Sequence, residues 1–280
     1  METTPTFLIT GAARGLGNAL TLAALDAGHN VVATVRGDHE LPSHERLVVQ
    51  HLDVRDRQQA FEAVDVAVAR FGRLDVLVNN AGYGLVGAIE EVSEAEAREI
   101  VDTDLLGALW LSQAAVAVMR GQGAGHVLQI STVGGVGAVP TLGLYNAAKW
   151  GLEGFSEALA AEVAGFGIRV TIVEPGEVDT EWAKSSMRFA TPNPAYDDLR
   201  TNLFGSPEVP WPTEVTPTEG APSNATSPAV AAEAILAHIA DPSDERLRLL
   251  VGDDAPDQVA EALARRHADY ARDSRFDRGI

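Results

Sequence analysis

The chain has 280 residues, of which 46% are hydrophobic, a share large enough for a buried core and too large for a disordered protein. Its formal net charge of −19 repels phosphate backbones and anionic lipids, so we expect it to bind neither nucleic acid nor a membrane surface. The lack of cysteine excludes a disulfide framework and a thiol nucleophile.

Targeting and metal-binding patterns are absent from the sequence. The opening residues METTPTFLITGAARG lack the basic stretch of a secretory leader, and no run of 18 apolar residues follows that would cross a membrane. The seven histidines are scattered without an H-E-x-x-H pattern, so we predict no metal site. These observations favour a cytoplasmic protein without a membrane partner.

Short apolar runs alternate with longer helical stretches along the chain. The runs are rich in leucine and β-branched residues, as expected for strands that are covered on both faces. This alternation predicts an α/β fold with a Rossmann-like, doubly wound parallel sheet of seven strands and helices on both faces, in a single domain over residues 1–280. The predicted strands are 7–10, 31–35, 47–51, 76–79, 126–130, 169–173 and 247–251, and the predicted helices lie near 16–27, 56–71, 93–119, 144–165, 227–240 and 256–272.

A glycine-rich turn, TGAARGLG, follows the first predicted strand and opens a helix. Its glycines Gly11, Gly15 and Gly17 match neither the G-x-G-x-x-G spacing nor a phosphate-binding loop that ends in Gly-Lys-Ser/Thr. Glycine nevertheless lets a backbone turn tightly and approach a pyrophosphate, which then lies at the positive end of the helix. The position of the turn therefore predicts a dinucleotide site, and the alternative is a simple turn.

The end of the second predicted strand distinguishes NAD from NADP. An acidic residue there would bind the ribose 2′-hydroxyl and repel a 2′-phosphate. This chain has Val35 followed by Arg36, with Arg14 in the glycine turn, and two guanidinium groups can bind a phosphate through paired hydrogen bonds. We therefore predict NADP(H) rather than NAD(H), and the alternative is that both arginines belong to the ordinary surface.

Lysine is rare in this chain, which has only Lys149 and Lys184 among its 21 basic residues. Lys149 stands four residues after Tyr145 in a predicted helix, so the two side chains share one face. An ammonium about 4 Å from a phenol stabilises the phenolate by about 4 kcal/mol at an effective dielectric constant near 20, which corresponds to about three pKa units. Because real pairs lie further apart and are better solvated, we expect the pKa of the phenol to fall by about one to three units. We therefore expect Tyr145 to act as a general acid–base group near neutral pH.

The segment from about 177 to 226 differs in composition from the rest of the chain. It is rich in proline, threonine and asparagine, and a loop of this length inside a compact domain is usually functional or disordered. We predict a lid over an apolar substrate, and the alternative is a solvated insertion. The aromatic residues that favour the lid are Trp182, Phe189, Tyr196, Phe204 and Trp211.

Five motifs in this order resemble those of the short-chain dehydrogenase/reductase family in its compact single-domain form: TGAARGLG, NNAG (79–82), ISTVGG, YNAAK and PGEVDT (175–180). The similarity covers residues 7 to about 180 and, more loosely, 227 to 251. The stretch STVGGVGAVPTLGLYNAAKWGLEG is also similar to the corresponding part of 17β-hydroxysteroid dehydrogenases.

The resemblance implies a role for each motif. Tyr145 would exchange a proton with the substrate oxygen, Lys149 would lower the pKa of Tyr145 and hold the nicotinamide ribose, and a neighbouring hydroxyl would orient the carbonyl. Asp53 and Val54 would face the adenine. The residues expected to bind the cofactor are Gly11, Arg14, Gly15, Leu16, Gly17, Arg36, Asp53, Val54, Asn80, Ala81, Gly82, Tyr145, Lys149, Pro175, Gly176, Val178 and Thr180.

Two positions depart from the family pattern. Where the family commonly has its catalytic serine this chain has Thr132, preceded by Ser131. Because threonine offers the same donor and acceptor, we assign the catalytic hydroxyl to Thr132 and keep Ser131 as the alternative. The family usually has asparagine where Asp104 stands, to support a water linked to the lysine. We expect Asp104 to hold that water and to change the pH response of the relay; otherwise it is an ordinary helix residue.

Together these features predict an NADP(H)-dependent oxidoreductase that reduces a ketone, or oxidises the secondary alcohol, with Tyr145 as the general acid–base group. The lid favours a bulky apolar or polycyclic substrate. The alternative is a non-catalytic dinucleotide-binding regulator on the same fold. Because the family usually forms dimers or tetramers, and helical stretches such as AAVAVM (114–119) are rich in small residues, we also predict a homodimer or homotetramer.

Overall fold

A computed structural model of the protein describes residues 4–179, 186–210 and 225–276. Its strands are β1 (Thr6–Ile9), β2 (Asn30–Val35), β3 (Leu47–His51), β4 (Val76–Asn79), β5 (Gly84–Val86), β6 (Gly125–Ile130), β7 (Ile168–Pro175), β8 (Met187–Phe189) and β9 (Arg248–Val251). All seven predicted strands lie in one parallel sheet, in the order β3-β2-β1-β4-β6-β7-β9. The predicted Rossmann-like, doubly wound fold is therefore confirmed.

Helices cover both faces of this sheet. Because side chains alternate along a strand, Phe7 and Ile9 of β1 enter one core and Leu8 enters the other. The helices are α1 (Gly15–Asp26), α2 (Arg57–Phe71), α3 (Glu94–Val101), α4 (Gly107–Gln122), α5 (Gly143–Val163), α6 (Asp197–Phe204), α7 (Pro228–Ala240) and α8 (Ala255–Tyr270). The first core is closed by α1 and α7, and the second by α2 and α4 with part of α5.

The sheet order creates a crevice between β1 and β4. The chain runs outward from β1 to β2 and β3, and it then crosses to the other side of β1 to form β4. The loops that leave β1 and β4 therefore diverge at the carboxyl edge of the sheet, which is where open α/β sheets bind their ligands.

The long helix predicted over 93–119 is interrupted in the structure. Residues Asp102–Leu106 form a π-helical turn between α3 and α4, and this turn buries Thr103 and Asp104. Single π turns inside α-helices occur often at functional sites. The combined helix Glu94–Gln122 is long and apolar enough to cross a membrane by length and composition alone, but half of its apolar window is buried inside the protein. The absence of a membrane partner stays a prediction.

The stretch AAVAVM (114–119), predicted as a surface for subunit contacts, packs largely inside the protein. Ala114, Ala115 and Met119 are buried in the core against the sheet and α2. An alanine-rich stretch predicts a close helix contact, but it does not say whether the partner is the same chain or another subunit. The predicted oligomer now rests on the family resemblance alone.

The segment predicted as a lid is partly regular, which its composition did not indicate. We call residues 187–207 the cap. Within it, β8 pairs in parallel with β5, and α6 follows after a short turn. Phe189, Tyr196 and Phe204 are half-buried, and the Tyr196 hydroxyl donates to Glu90 Oε2 at 2.6 Å. Trp182 and Trp211 lie outside the described residues.

A buried ion pair attaches the cap to the turn that follows β5. The side chains of Arg200 and Glu91 are 3% and 2% exposed and form a salt bridge. Arg200 also donates to the carbonyl oxygens of Pro207 and Asn193, at 2.8 Å each. Glu91 accepts from Ala88 N at 2.7 Å. Because every polar group of the pair has a partner, the pair is a stable attachment, and removing one member would leave a buried charge.

Replacing Arg200 should therefore destabilise the protein far more than replacing an exposed arginine. We expect Arg200→Met to lower the free energy of unfolding by about 3 kcal/mol, because Glu91 remains buried without its cation. Urea denaturation followed by circular dichroism measures this change. Arg98→Met is the matched control, because its pair with Glu94 is exposed and should contribute less than about 1 kcal/mol. Equal effects of the two substitutions would contradict the attachment.

Candidate active site and cofactor cleft

A cleft of about 580 Å³ opens at the carboxyl edge of the sheet, above the crevice between β1 and β4. It brings together almost all residues that were predicted as catalytic or cofactor-binding. Gly17 lies behind the cleft wall, and Thr180 is outside the described residues. The predicted residues that line the cleft are Gly11, Arg14, Gly15, Leu16, Arg36, Asp53, Val54, Asn80, Ala81, Gly82, Asp104, Ser131, Thr132, Tyr145, Lys149, Pro175, Gly176 and Val178.

The glycine turn needs its glycines for two different reasons. Gly11 and Gly15 have φ angles of +66° and +58°, which side chains rarely tolerate. A Cβ atom on Gly17 would lie 2.5 Å from both Asn80 Nδ2 and Gly11 O, so Gly17 allows the end of β4 to pack against the turn. Asn80 completes this contact by donating to Thr10 O at 2.9 Å. The result is an open cradle at the start of α1, with a shape that fits a pyrophosphate.

The far end of the cleft carries both arginines of the NADP prediction. Arg14 and Arg36 line it together with Asp53. A side-chain hydrogen bond from Arg55 holds the pKa of Asp53 below its usual value, and the charge of Arg36 adds to this effect. Asp38 also lines the cleft, two residues after Arg36, and was not predicted. This end of the cleft therefore offers basic groups to a phosphate and a carboxylate to a ribose.

The two candidate hydroxyls have different partners. The Ser131 hydroxyl donates to Glu153 Oε1 at 2.7 Å. The Thr132 side chain is hydrogen-bonded to Tyr145. Thr132 also accepts from Gly134 N at 3.2 Å at the start of the short turn after β6. The structure thus brings Thr132 to Tyr145, as the first of the two alternatives predicted.

Lys149 lies on the same side of α5 as Tyr145, as the spacing predicted. Its Nζ is 5.8 Å from the centre of the Tyr145 ring and 3.5 Å from Asp104 Oδ2. It also donates to Ile130 O at 3.0 Å. The ammonium is therefore paired with a carboxylate that the sequence argument did not include in the charge balance.

The pKa of Tyr145 is raised above its ordinary value, whereas we expected Lys149 to lower it. Burial of the phenol is the main cause, the charge of Asp104 acts in the same direction, and the hydrogen bond with Thr132 opposes both. The sequence argument counted the cation but omitted the loss of solvation of a group that is only 7% exposed. At neutral pH the Tyr145 hydroxyl is therefore protonated.

Asp104 is buried in the π-helical turn and lies beside Tyr145 and Lys149. Its Oδ1 accepts from Tyr83 N at 3.1 Å, and a Cβ atom on Gly82 would lie 2.8 Å from its Oδ2. Burial raises the pKa of Asp104 to about 6, although the attraction of Lys149 acts in the opposite direction. Asp104 is thus an ionisable group in direct contact with the lysine, not an ordinary helix residue.

Besides Asp38, sequence reasoning missed four residues that line the cleft or contact its lining: Tyr83, Arg188, Asp254 and Glu153. Tyr83 follows the NNAG motif directly, and Arg188 of β8 lies over its ring at 4.5 Å. Burial raises the pKa of Tyr83 to about 12. Asp254, in the loop after β9, accepts from Glu177 N at 2.8 Å and leaves no room for a side chain on Gly176. Glu153 binds Ser131. Only Tyr83 had a local signal, its position after the motif.

No group of three or more histidine, aspartate or glutamate side chains in the described ranges could hold a metal ion. The prediction of no metal site remains a prediction for the chain as a whole.

Comparison with known proteins places the chain in a family. The family model described as short chain dehydrogenase matches residues 5–190. Oxidoreductase BOA17 of Botryotinia fuckeliana is 41% identical over 199 residues, which cover 69% of this chain and 73% of that protein. A 3-ketodihydrosphingosine reductase of Bacteroides thetaiotaomicron is 38% identical over 173 residues, covering 62% of this chain and 64% of that protein.

Solved structures agree with this assignment. A short-chain dehydrogenase from Streptomyces avermitilis is 35% identical, with a TM-score of 0.82 and coverage of 99% of both chains. Two less similar structures share the fold. A short-chain dehydrogenase/reductase from Burkholderia phymatum in complex with NAD is 20% identical, with a TM-score of 0.76 and coverage of 97% of both chains. A short-chain dehydrogenase from Burkholderia cenocepacia in complex with NADP is 24% identical, with a TM-score of 0.73 and coverage of 97% of this chain and 98% of that one. The chain therefore belongs to the short-chain dehydrogenase family and is an oxidoreductase of that type.

Proposed function

We propose that the protein is an NADP(H)-dependent oxidoreductase that reduces a bulky apolar or polycyclic ketone, or oxidises the corresponding secondary alcohol. The observation that carries this proposal is the contact between Thr132 and Tyr145 inside a cleft whose other end is a glycine cradle. A hydroxyl pair of this kind can bind one carbonyl oxygen while a dinucleotide occupies the rest of the cleft.

The residues of the cleft fit such a dinucleotide. The cradle around Gly11 and Gly15 would hold the pyrophosphate, and Asp53 and Val54 would face the adenine. Pro175 to Val178, together with Thr180 two residues further on, would meet the nicotinamide end. When bound, the nicotinamide supplies or accepts the hydride. The protein then has to position the carbonyl carbon and to provide one proton to its oxygen.

Tyr145 is the proposed proton donor. Its raised pKa keeps the hydroxyl protonated at neutral pH, so a proton is available for the reduction of a ketone, but the same shift makes the hydroxyl a weaker acid. Thr132 would bind the same carbonyl oxygen and fix its direction. Lys149 would hold the nicotinamide ribose, and its positive charge would stabilise the phenolate that remains after proton transfer. Asp104, 3.5 Å from Lys149, would hold the water through which the phenolate recovers its proton.

The choice of NADP(H) over NAD(H) rests on Arg14 and Arg36, which both line the adenine end of the cleft. Guanidinium groups bind a phosphate through paired, charge-assisted hydrogen bonds. The protein carries a net charge of −19, so these local cations are needed to attract an anionic cofactor. Asp38 is the one observation that favours NAD(H), because a carboxylate can bind the ribose hydroxyls.

The proposed substrate class rests on Tyr83, which lines the cleft, and on the half-buried aromatic residues of the cap. Ile89, in the turn after β5, and Val139, before α5, also expose apolar side chains. An apolar ketone would bury such surface. The relative named 3-ketodihydrosphingosine reductase is a ketone reductase by name.

We further propose that the protein is cytoplasmic and forms a homodimer or homotetramer. Size-exclusion chromatography with light scattering would test the oligomeric state.

The central experiment measures NADPH oxidation with a panel of bulky ketones. Turnover by the wild type should fall by a factor of about 100 or more in Tyr145→Phe, because general acid catalysis contributes about that much. Tyr270→Phe is the matched control, because this tyrosine is exposed on α8, does not line the cleft and should leave turnover unchanged. If NADPH binds but no ketone is turned over, the alternative of a non-catalytic dinucleotide-binding regulator would replace the proposal.

Cofactor preference gives a second prediction. Arg36→Ala should reduce the ratio of the NADH and NADPH dissociation constants by a factor of about 10 or more, because a hydrogen bond to a charged group contributes about 1.5–3 kcal/mol. Fluorescence titration with both nucleotides measures the ratio. Arg70→Ala, which removes an arginine outside the cleft, serves as the control. An unchanged ratio in Arg36→Ala would exclude a contact between Arg36 and the 2′-phosphate.

Asp104 gives a prediction for the pH dependence of stability. Folding raises the pKa of this carboxyl from 3.8 to about 6, so its stabilising contribution is complete below pH 3.8 and is lost as the pH rises through 6. Between pH 5 and pH 8 the wild type should therefore lose about 1 kcal/mol of unfolding free energy that Asp104→Asn does not lose. Urea denaturation at both pH values measures the difference. Identical pH dependence in the two proteins would show that folding does not raise this pKa.

A further inference from the structure

A buried carboxylate lies beneath the turn that carries the two hydroxyls. Glu153 of α5 is 6% exposed, and it follows Tyr145 and Lys149 at intervals of four residues on the same helix. Burial raises its pKa. A buried carboxylate is costly unless its oxygens have partners, and the first partner of Glu153 is the Ser131 hydroxyl, at 2.7 Å.

The turn after β6 closes tightly over this carboxylate. A Cβ atom on Gly135 would lie 2.5 Å from Ser131 Oγ and would clash with Glu153 Oε1. Gly135 N donates to Thr132 O at 2.8 Å, which closes the turn. Glycine at this position therefore allows the backbone of the turn to rest directly on the Ser131–Glu153 pair.

Arg248 of β9 holds Glu153 from the other side. Its Nη2 lies 3.6 Å from Glu153 Oε2, and its Nε lies 3.0 Å from Glu174 Oε1. It also forms a salt bridge with Glu157. One guanidinium thus faces three carboxylates and fixes one oxygen of Glu153, while the other oxygen accepts from Ser131. Arg248 lies outside the residues 5–190 that match the family.

The geometry points to Glu153 as a positioning residue that acts on Thr132 through Ser131. The backbone of Thr132 is extended (φ −172°, ψ 161°), so the side chains of adjacent residues point in opposite directions. When Ser131 is held by Glu153 on one side, Thr132 is directed to Tyr145 on the other. This inference rests on the proposed function, because the direction of Thr132 matters only if its hydroxyl binds the carbonyl oxygen.

The test compares single and double variants in steady-state ketone reduction. Ser131→Ala and Glu153→Ala should each lower kcat about 10-fold, because a displaced hydroxyl loses its alignment, and the dissociation constant of NADPH should not change. Glu153→Gln should retain most of the activity, since an amide oxygen still accepts from Ser131. Glu157→Gln is the matched control, because Glu157 also binds Arg248 but does not contact Ser131.

The decisive measurement is made in the Thr132→Ala background. If Ser131 and Glu153 act through Thr132, then Ser131→Ala should cause no further loss of kcat once the Thr132 hydroxyl is gone. A further loss of about 10-fold there, or an unchanged kcat in Ser131→Ala alone, would overturn the inference. Ser131→Ala removes a single oxygen atom, so the test survives if Glu153→Ala does not fold.

The failure of the proposed function would be distinguishable from the failure of this inference. If the wild type reduces no ketone, the proposed function fails, and the positioning role fails with it. The contact itself is then tested by a double-mutant cycle of Ser131→Ala and Glu153→Ala on the free energy of unfolding, because each of these substitutions removes the hydrogen bond. Additive effects in that cycle would show that the two side chains do not interact.

Discussion

The burial of the Tyr145 hydroxyl is the constraint on which the arrangement of the cleft depends. A buried phenolate loses the solvation that water provides, so desolvation and the charge of Asp104 both raise the pKa of Tyr145. The groups that can offset this cost are Thr132, through a hydrogen bond, and Lys149, through its charge. Both effects depend strongly on distance. Three elements therefore have to meet at fixed positions: the turn after β6, helix α5 and the π-helical turn that carries Asp104.

Asp104 gives this arrangement a property that asparagine would not. An amide stays neutral at every accessible pH, whereas burial places the pKa of Asp104 at about 6. Its charge state therefore changes within the range in which cells and enzymes operate. When Asp104 is ionised, it pairs with Lys149 and also opposes the formation of the phenolate. The same side chain thus holds the lysine in place and competes for its positive charge.

Much of the fold could be predicted from the sequence, because its strands are short apolar runs and its helices are longer amphipathic ones. The run VLVN, for example, is fully buried as β4. Elements that depend on tertiary contacts left no such pattern. β5 and β8 have three residues each, and they pair where the Arg200–Glu91 salt bridge holds the cap against the turn after β5. The π-helical turn at Asp104 was equally invisible, because its composition fits a continuous helix.

For the candidate site, the local motifs predicted most of the residues that line the cleft, but they did not predict the direction in which the pKa of Tyr145 shifts. The spacing of Tyr145 and Lys149 predicted their shared face correctly, yet it contained no information on desolvation or on the nearby carboxylate. Glu153, Arg248 and Asp254 were missed for a related reason. Arg248 and Asp254 contact the cleft from distant parts of the chain, and Glu153, although it lies on α5, contacts Ser131 of the preceding turn, so these roles are visible only in three dimensions.

The C-terminal part of the chain supports the cleft without belonging to any motif. Arg248 reaches the turn after β6 through Glu153, Arg266 of α8 donates to Val136 O in the same turn, and Asp254 binds the backbone that follows β7. Two walls of the cleft are thus held by residues after position 247. During evolution, substitutions after position 247 could therefore change the shape of the cleft while all five family motifs stay unchanged. Proteins with the same motifs could therefore diverge in selectivity through a region that motif comparison ignores.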